Sequence, residues 1–174
     1  GAGRSVFALS LSTAIGRHTA TLEPGSLLPS LRVCQALPPP IATTGALNVG
    51  DPDRRIFAGG WHDPERANLV RFRWAEKVST MLLPIDTPGS ARIVLSVSPA
   101  AGVTRVDASM NGVATGSCAL TARWNDCRFD IPAGAMATGV NCFTLNADRA
   151  APNSSRDRRE LAVAVQSVLI RIGR

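Results

Sequence analysis

Residues 91–120, ARIVLSVSPAAGVTRVDASMNGVATGSCAL, decide the fold. From Ala91 to Ser98 apolar and other residues alternate, with Ile93, Leu95 and Val97 on one face and Arg92, Val94 and Ser96 on the other. A period of two is that of a strand buried on one side. Residues 99–102 turn the chain, and Val106, Ala108 and Met110 give the next strand its inner face. Asn111-Gly112 follows, a strong hairpin signal because both residue types tolerate positive φ. The chain returns over Val113–Leu120.

The same rhythm extends both ways. Upstream, Val70–Ala75 and Val78–Ile85 read as two strands or one long bent strand, closed by the turn Asp86–Ser90. Residues 42–49 form a short strand before the turn Asp51-Pro52-Asp53. Residues 5–37 hold two or three strands, and Pro38-Pro39-Pro40 stiffens a linker. This divides the chain into an N-terminal arm, or first strands with linker, over 1–40, and a sandwich domain over 41–174. Downstream, Cys127–Ile131 and Thr138–Ala147 are strands, and residues 148–160 are a charged loop. The last strand, Leu161–Ile172, switches its apolar parity, which places a bulge near Gln166 or Ser167. Nine to eleven short strands separated by turns predict an all-β antiparallel β-sandwich. Twelve prolines and fifteen glycines leave no helix-length window with a 3.6-residue apolar period.

The net charge is +6, and Lys77 is the only lysine. The arginines are scattered rather than clustered among aromatics, which argues against nucleic acid as a partner. No stretch reaches the ~20 apolar residues of a membrane span. The chain begins with glycine, so a processed protein or an excised piece is expected. Cys34, Cys118, Cys127 and Cys142 lack zinc spacing and fit two disulfides in an extracytoplasmic, periplasmic or secreted setting. Four cysteines allow three connectivities, or four buried free thiols; the expected pairing is Cys118 with Cys127, across what reads as a hairpin tip, and Cys34 with Cys142.

Candidate chemistry concentrates in residues 56–85, which open as a polar Gly-Gly loop and end as a strand. Trp61 and Trp74 either stack on sugar rings or fill the core, and Trp124 at the tip is a further contact residue. His62, Asp63 and Glu65 are placed to bond hydroxyls. Alternatively, Glu65 forms a salt link to Arg73 or Arg71. An acid/base reading of the two carboxylates requires a set separation across the scissile bond, which one short loop rarely provides. No cofactor is implied. A structural calcium would draw on Asp51, Asp53, Asp148 and Asp157.

Taken in order, Gly60-Trp61-His62-Asp63-Pro64-Glu65, Phe72-Arg73-Trp74-Ala75, Asn111-Gly112, Gly139-Val140-Asn141 and Asp157-Arg158-Arg159-Glu160-Leu161 carry a family resemblance. The chain from about residue 42 resembles the jelly-roll, galactose-binding-like domains, of carbohydrate-binding-module type, appended to bacterial membrane glycosyltransferases and envelope polysaccharide proteins. It departs from them in lacking an aromatic residue in the last loop. The resemblance implies a jelly-roll sandwich and a non-catalytic module. Such a module holds glycan or polysaccharide, or docks on the membrane-embedded part of its own protein, tethered through a further segment. Under this reading Trp61 stacks on a sugar and His62, Asp63, Glu65 or Asn111 bonds its hydroxyls. The alternatives are a structural protein–protein module without ligand, and a polysaccharide-acting hydrolase or transferase.

Overall fold

The computed structural model describes residues 7–13, 16–22, 41, 44–50, 56–152 and 157–173. The chain divides into two compact units, 1–35 and 36–174. In the first, β1 (Phe7–Thr13) and β2 (Gly16–Leu22) pair antiparallel from Phe7↔Leu22 to Thr13↔Gly16.

The second unit is all-β. Its strands are β3 (Thr44–Asn48), β4 (Phe57–Ala67), β5 (Val70–Ile85), β6 (Ala91–Pro99), β7 (Arg105–Met110), β8 (Val113–Ala119), β9 (Asn125–Ile131), β10 (Gly139–Ala147), the two-residue strands β11 (Ala151–Pro152) and β12 (Glu160–Leu161), and β13 (Val163–Ile172). Around the Asn111–Gly112 turn the pairing is nested. β7 pairs with β8, β6 with β9 and β5 with β10, all antiparallel. A long hairpin rolled up on itself in this way is a jelly roll. Within each layer the hairpin arms are joined side by side, through β7–β10 in one and β6–β13 in the other.

Strand β5 passes from one layer to the other. Val78–Ile85 runs beside β10, and Arg73–Ala75 runs beside β13. Where β5 leaves β13, β3 takes its place. One layer is therefore β8-β7-β10-β5, and the other is β9-β6-β13 flanked by β5 and β3. Their inner faces interdigitate. Ile93, Leu95 and Val97 of β6, Phe129 of β9, Met110 of β7, and Phe143 and Leu145 of β10 are all buried. Phe129 and Phe143 meet edge-on across the core at 5.9 Å. Each such side chain contributes roughly 1.5–3 kcal/mol through removal of apolar surface from water.

The anticipated bulge lies in β13 between Val165 and Ser167. Gln166, the extra residue, turns its carbonyl oxygen to accept from Val49 N at 2.9 Å.

Two expectations need correction. The Gly-Gly-Trp-His-Asp-Pro stretch is not a loop. It is strand β4, paired antiparallel with β5 and joined to it by a turn at Asn68, whose φ is 54°. Its register is broken three times, between Phe57 and Gly59, Gly59 and Trp61, and Trp61 and Pro64. Pro64 is tolerated because β4 is an edge strand. Gly60 adopts φ +73°, and a Cβ there would collide with the Val78 carbonyl oxygen, so glycine is required for β4 to approach β5 this closely. Second, Cys118 and Cys127 are bonded, but not across a hairpin tip. β8 pairs with β7 and β9 with β6, so the bridge ties the edge strand of one layer to the edge strand of the other.

Candidate functional site

The register of β5 places two aromatic groups on opposite sides of one strand. Arg73 lies opposite Val165, a core residue, and so points inward. It is 1% exposed. Its Nε donates to Val49 O at 2.9 Å, its guanidinium donates to His62 O at 3.1 Å, and its Cζ stands 4.6 Å from the centre of the Phe57 ring. Hydrogen bonds and a ring face together replace the water this charge gives up. Phe57 packs against Trp61 at 5.0 Å, and Trp61 Nε1 donates to Thr80 O at 3.0 Å. Trp61 is thus half-buried against the core and held at both ends, not a free platform.

Phe72 and Trp74 point the other way. Trp74 lies opposite Ala164, which lies opposite Ser98 on β6. Val97 pairs with Asn125, so Trp124 continues the β6–β9 register at the same end of this face. Phe72 meets Trp74 edge-on at 5.9 Å and Trp124 at 6.2 Å. Phe72 and Ala164 are buried yet stand outside the main core. Trp74 is half-buried and also touches the main core, and Trp124 is 41% exposed. The result is an outward aromatic patch with a tryptophan on either side of a buried phenylalanine. Loop 120–124 is braced by Asn125, whose Oδ1 accepts from Thr121 N and Oγ1 at 3.1 and 2.9 Å.

Glu65 lies beside Phe72 in the β4–β5 register. Its carboxylate does not pair with Arg73 or Arg71. It accepts from Arg159 Nη1 at 2.6 Å, and Arg159 in turn holds Asp157 through Nε at 2.9 Å and Nη2 at 2.7 Å. Donating hydrogen bonds to Asp157 and, to a smaller extent, Glu65 raises the Arg159 pKa well above its ordinary value. This ion triad forms a polar border to the patch and ties Asp157 and Arg159 to Glu65 of β4.

The other residues singled out from sequence fall elsewhere. His62 is half-buried, with Nε2 3.9 Å from Glu76 Oε1 and no hydrogen bond among the described residues. Asp63 is exposed on β4. Asn111 has a structural task. Its φ of 51° shapes the β7–β8 turn, its Nδ2 donates to Ala135 O and Asn141 Oδ1, and its Oδ1 accepts from Cys142 N. Buried Asn141 completes the network through Ala137 and Gly139, so the Asn111 amide is committed to the fold instead of to a ligand. Cys142 is exposed on β10, and Cys34 lies outside the described residues.

Asp51 and Asp53 also lie outside the described residues. Asp148 accepts from Thr104 Oγ1 at 2.6 Å, a bond that holds its carboxyl below the usual range, and Asp157 is occupied with Arg159. Among the described residues no three His, Cys, Asp or Glu side chains gather as a metal site requires. Phe72 and Arg159 entered the sequence reading only as parts of the resemblance, and neither they nor Ala164 and Ser98 were read as site residues. Phe72 shares the parity of Trp74, which is the signal that pointed to it.

No family model and no curated protein matches the chain. Solved structures similar to it include the C-terminal family 6 carbohydrate-binding module of a Zobellia galactanivorans laminarinase, with 11% identity, coverage of 74% of this chain and 98% of that one, and a TM-score of 0.48. A carbohydrate-binding module of Cellvibrio mixtus lichenase 5A in complex with cellotriose is 11% identical over 76% of this chain and 99% of that one, with a TM-score of 0.47. Arthrobacter globiformis isomalto-dextranase complexed with panose is 14% identical over 76% of this chain, which spans 24% of the enzyme, with a TM-score of 0.46.

Proposed function

We propose that the protein is a non-catalytic glycan-binding module whose ligand rests on the outward patch of Trp74, Phe72 and Trp124. The observation that carries this reading is Trp124. A large ring 41% exposed at the end of a sheet, met edge-on by Phe72 at 6.2 Å, offers an apolar surface for the C–H face of a sugar. Glu65 beside Phe72 is oriented by Arg159 and presents oxygen toward hydroxyls at the border. Its engagement with Arg159 supports a binding role over general acid or base work. The Cys118–Cys127 bridge supports an extracytoplasmic setting. In that setting the module serves an enzyme of envelope polysaccharide, such as a membrane glycosyltransferase to which it is appended. Few ligand atoms are fully desolvated on an open face, so affinity is weak, roughly millimolar to micromolar.

Affinity electrophoresis through gels containing xylan, laminarin, dextran or polygalacturonate tests this. At least one polymer retards the native chain, and Trp124→Ala abolishes the retardation while the unfolding midpoint stays close to native. Undiminished retardation of Trp124→Ala, or no retardation of the native chain by any polymer, would overturn the proposal.

A further inference from the structure

Beyond Trp74 and Trp124 the same sheet face runs on along β6, β9 and β13. Its outward residues come in rows fixed by register. Next to the Trp74–Ala164–Ser98 row lies Ser167–Ser96–Asp126, then Leu169–Val94–Arg128, then Arg171–Arg92–Asp130. Their alternate neighbours, among them Ile93, Leu95, Phe129 and Ile170, are buried, so this parity faces out. From Ser98 to Arg92 the face extends six residues along β6, about 20 Å at strand rise. That is longer than any single sugar ring.

The far end is basic. Arg92 is held by Asp130 at 2.7 Å. Arg128 and Arg171 are exposed and have no ion pair among the described residues. They flank the half-buried Leu169 and Val94. One end of the face therefore offers aromatic rings, the middle offers serine hydroxyls with the Asp126 carboxylate at its β9 side, and the other end offers the guanidinium groups of Arg128 and Arg171. Guanidinium pairs bidentately with planar carboxylates, and it loses less hydration in doing so than an ammonium would.

We infer that the ligand is an acidic polysaccharide lying along this face. A sugar ring sits on Trp124 and Trp74, and carboxylates further along the chain pair with Arg128 and Arg171. The inference rests on the glycan-binding reading above and narrows it to uronic-acid polymers. A neutral glycan engages the aromatic end alone. An acidic one gains the arginine end as well, and that gain weakens as salt rises.

The test compares the full chain with Arg128→Gln/Arg171→Gln in gels containing polygalacturonate, neutral dextran, xylan or laminarin, or duplex DNA. Both substitutions lie on the exposed face, and an unchanged unfolding midpoint verifies the fold. Polygalacturonate should retard the native chain more than the neutral polymers do. The double variant should bind polygalacturonate about tenfold more weakly, and its retention by neutral polymers should be unchanged. If a neutral polymer binds and polygalacturonate gains nothing, this inference fails and the module reading stands. It fails equally if the double variant retains polygalacturonate as the native chain does. Arginine-dependent retention by duplex DNA as strong as that by polygalacturonate marks general polyanion binding and also overturns it. Retention by no glycan removes both readings.

Discussion

Two aromatic groups sit back to back on β5, and they differ in what holds them. On the inner side Phe57 and Trp61 close around Arg73, and every polar atom named there has a protein partner: Arg73 with Val49 O and His62 O, Trp61 Nε1 with Thr80 O. On the outer side Phe72 touches both Trp74 and Trp124, and Trp124 is 41% exposed. Adjacent residues of one strand thus place a charge inside and an aromatic ring outside, the reverse of what composition suggests. The inner group is finished by the protein itself. The outer one ends in Trp124, an exposed ring that no described residue covers, and exposed apolar surface of this kind marks a place where a ligand can bind.

If that contrast is right, substitutions on the two sides separate stability from binding. Arg73→Ala should have the largest effect on stability, about 3–5 kcal/mol, because it empties the space under Phe57 and takes the donor from the buried Val49 carbonyl and the part-buried His62 carbonyl. Urea denaturation measures it, and a loss below about 1 kcal/mol would mean the inner group is not load-sharing with the core. Reducing the Cys118–Cys127 bridge should cost about 2–3 kcal/mol on the chain-entropy model of its short loop. Because that loop carries Trp124, glycan retention should fall alongside stability, in contrast to Arg73→Ala wherever enough protein stays folded to be assayed.

Trp124→Ala should cost only about 1 kcal/mol, since much of the ring is already in water, while removing binding. The smallest effect belongs to Glu65→Gln. All three members of its ion triad are partly exposed, so thermal unfolding should register about 0.5 kcal/mol or less. A change of ligand affinity larger than that change in stability would place Glu65 in contact with the ligand.

Much of the architecture was readable from period-two patterning and turn chemistry. Ile93, Leu95 and Val97 mark the buried face of β6, Asn111-Gly112 marks the innermost turn, and the parity switch in the last strand marks the bulge at Gln166. The Cys118–Cys127 bond was readable as well, but not its role of joining two layers, because strand pairing is a long-range property. The β4 segment misled because Gly59, Gly60 and Pro64 are turn formers. Here they sit at the register breaks of an edge strand, where a glycine with positive φ and a proline without an N–H are both tolerated. The site was less legible still. The sequence favoured Trp61 as the stacking ring over Trp74, and only pairing with Ala75 or Ala164 shows that Trp61 turns to the core and Trp74 to the other side. Arg159 lies 94 residues from Glu65 in sequence, beyond the reach of any local pattern.

The most direct test of the outer face as the binding surface is backbone-amide chemical-shift mapping, with an oligosaccharide of whichever polymer retards the chain most. The account predicts that shifts concentrate at residues 72–74, 96–98, 122–125 and 164. Shifts centred instead on Phe57, Trp61 and His62, or on the outer face of β7 and β10, would contradict it.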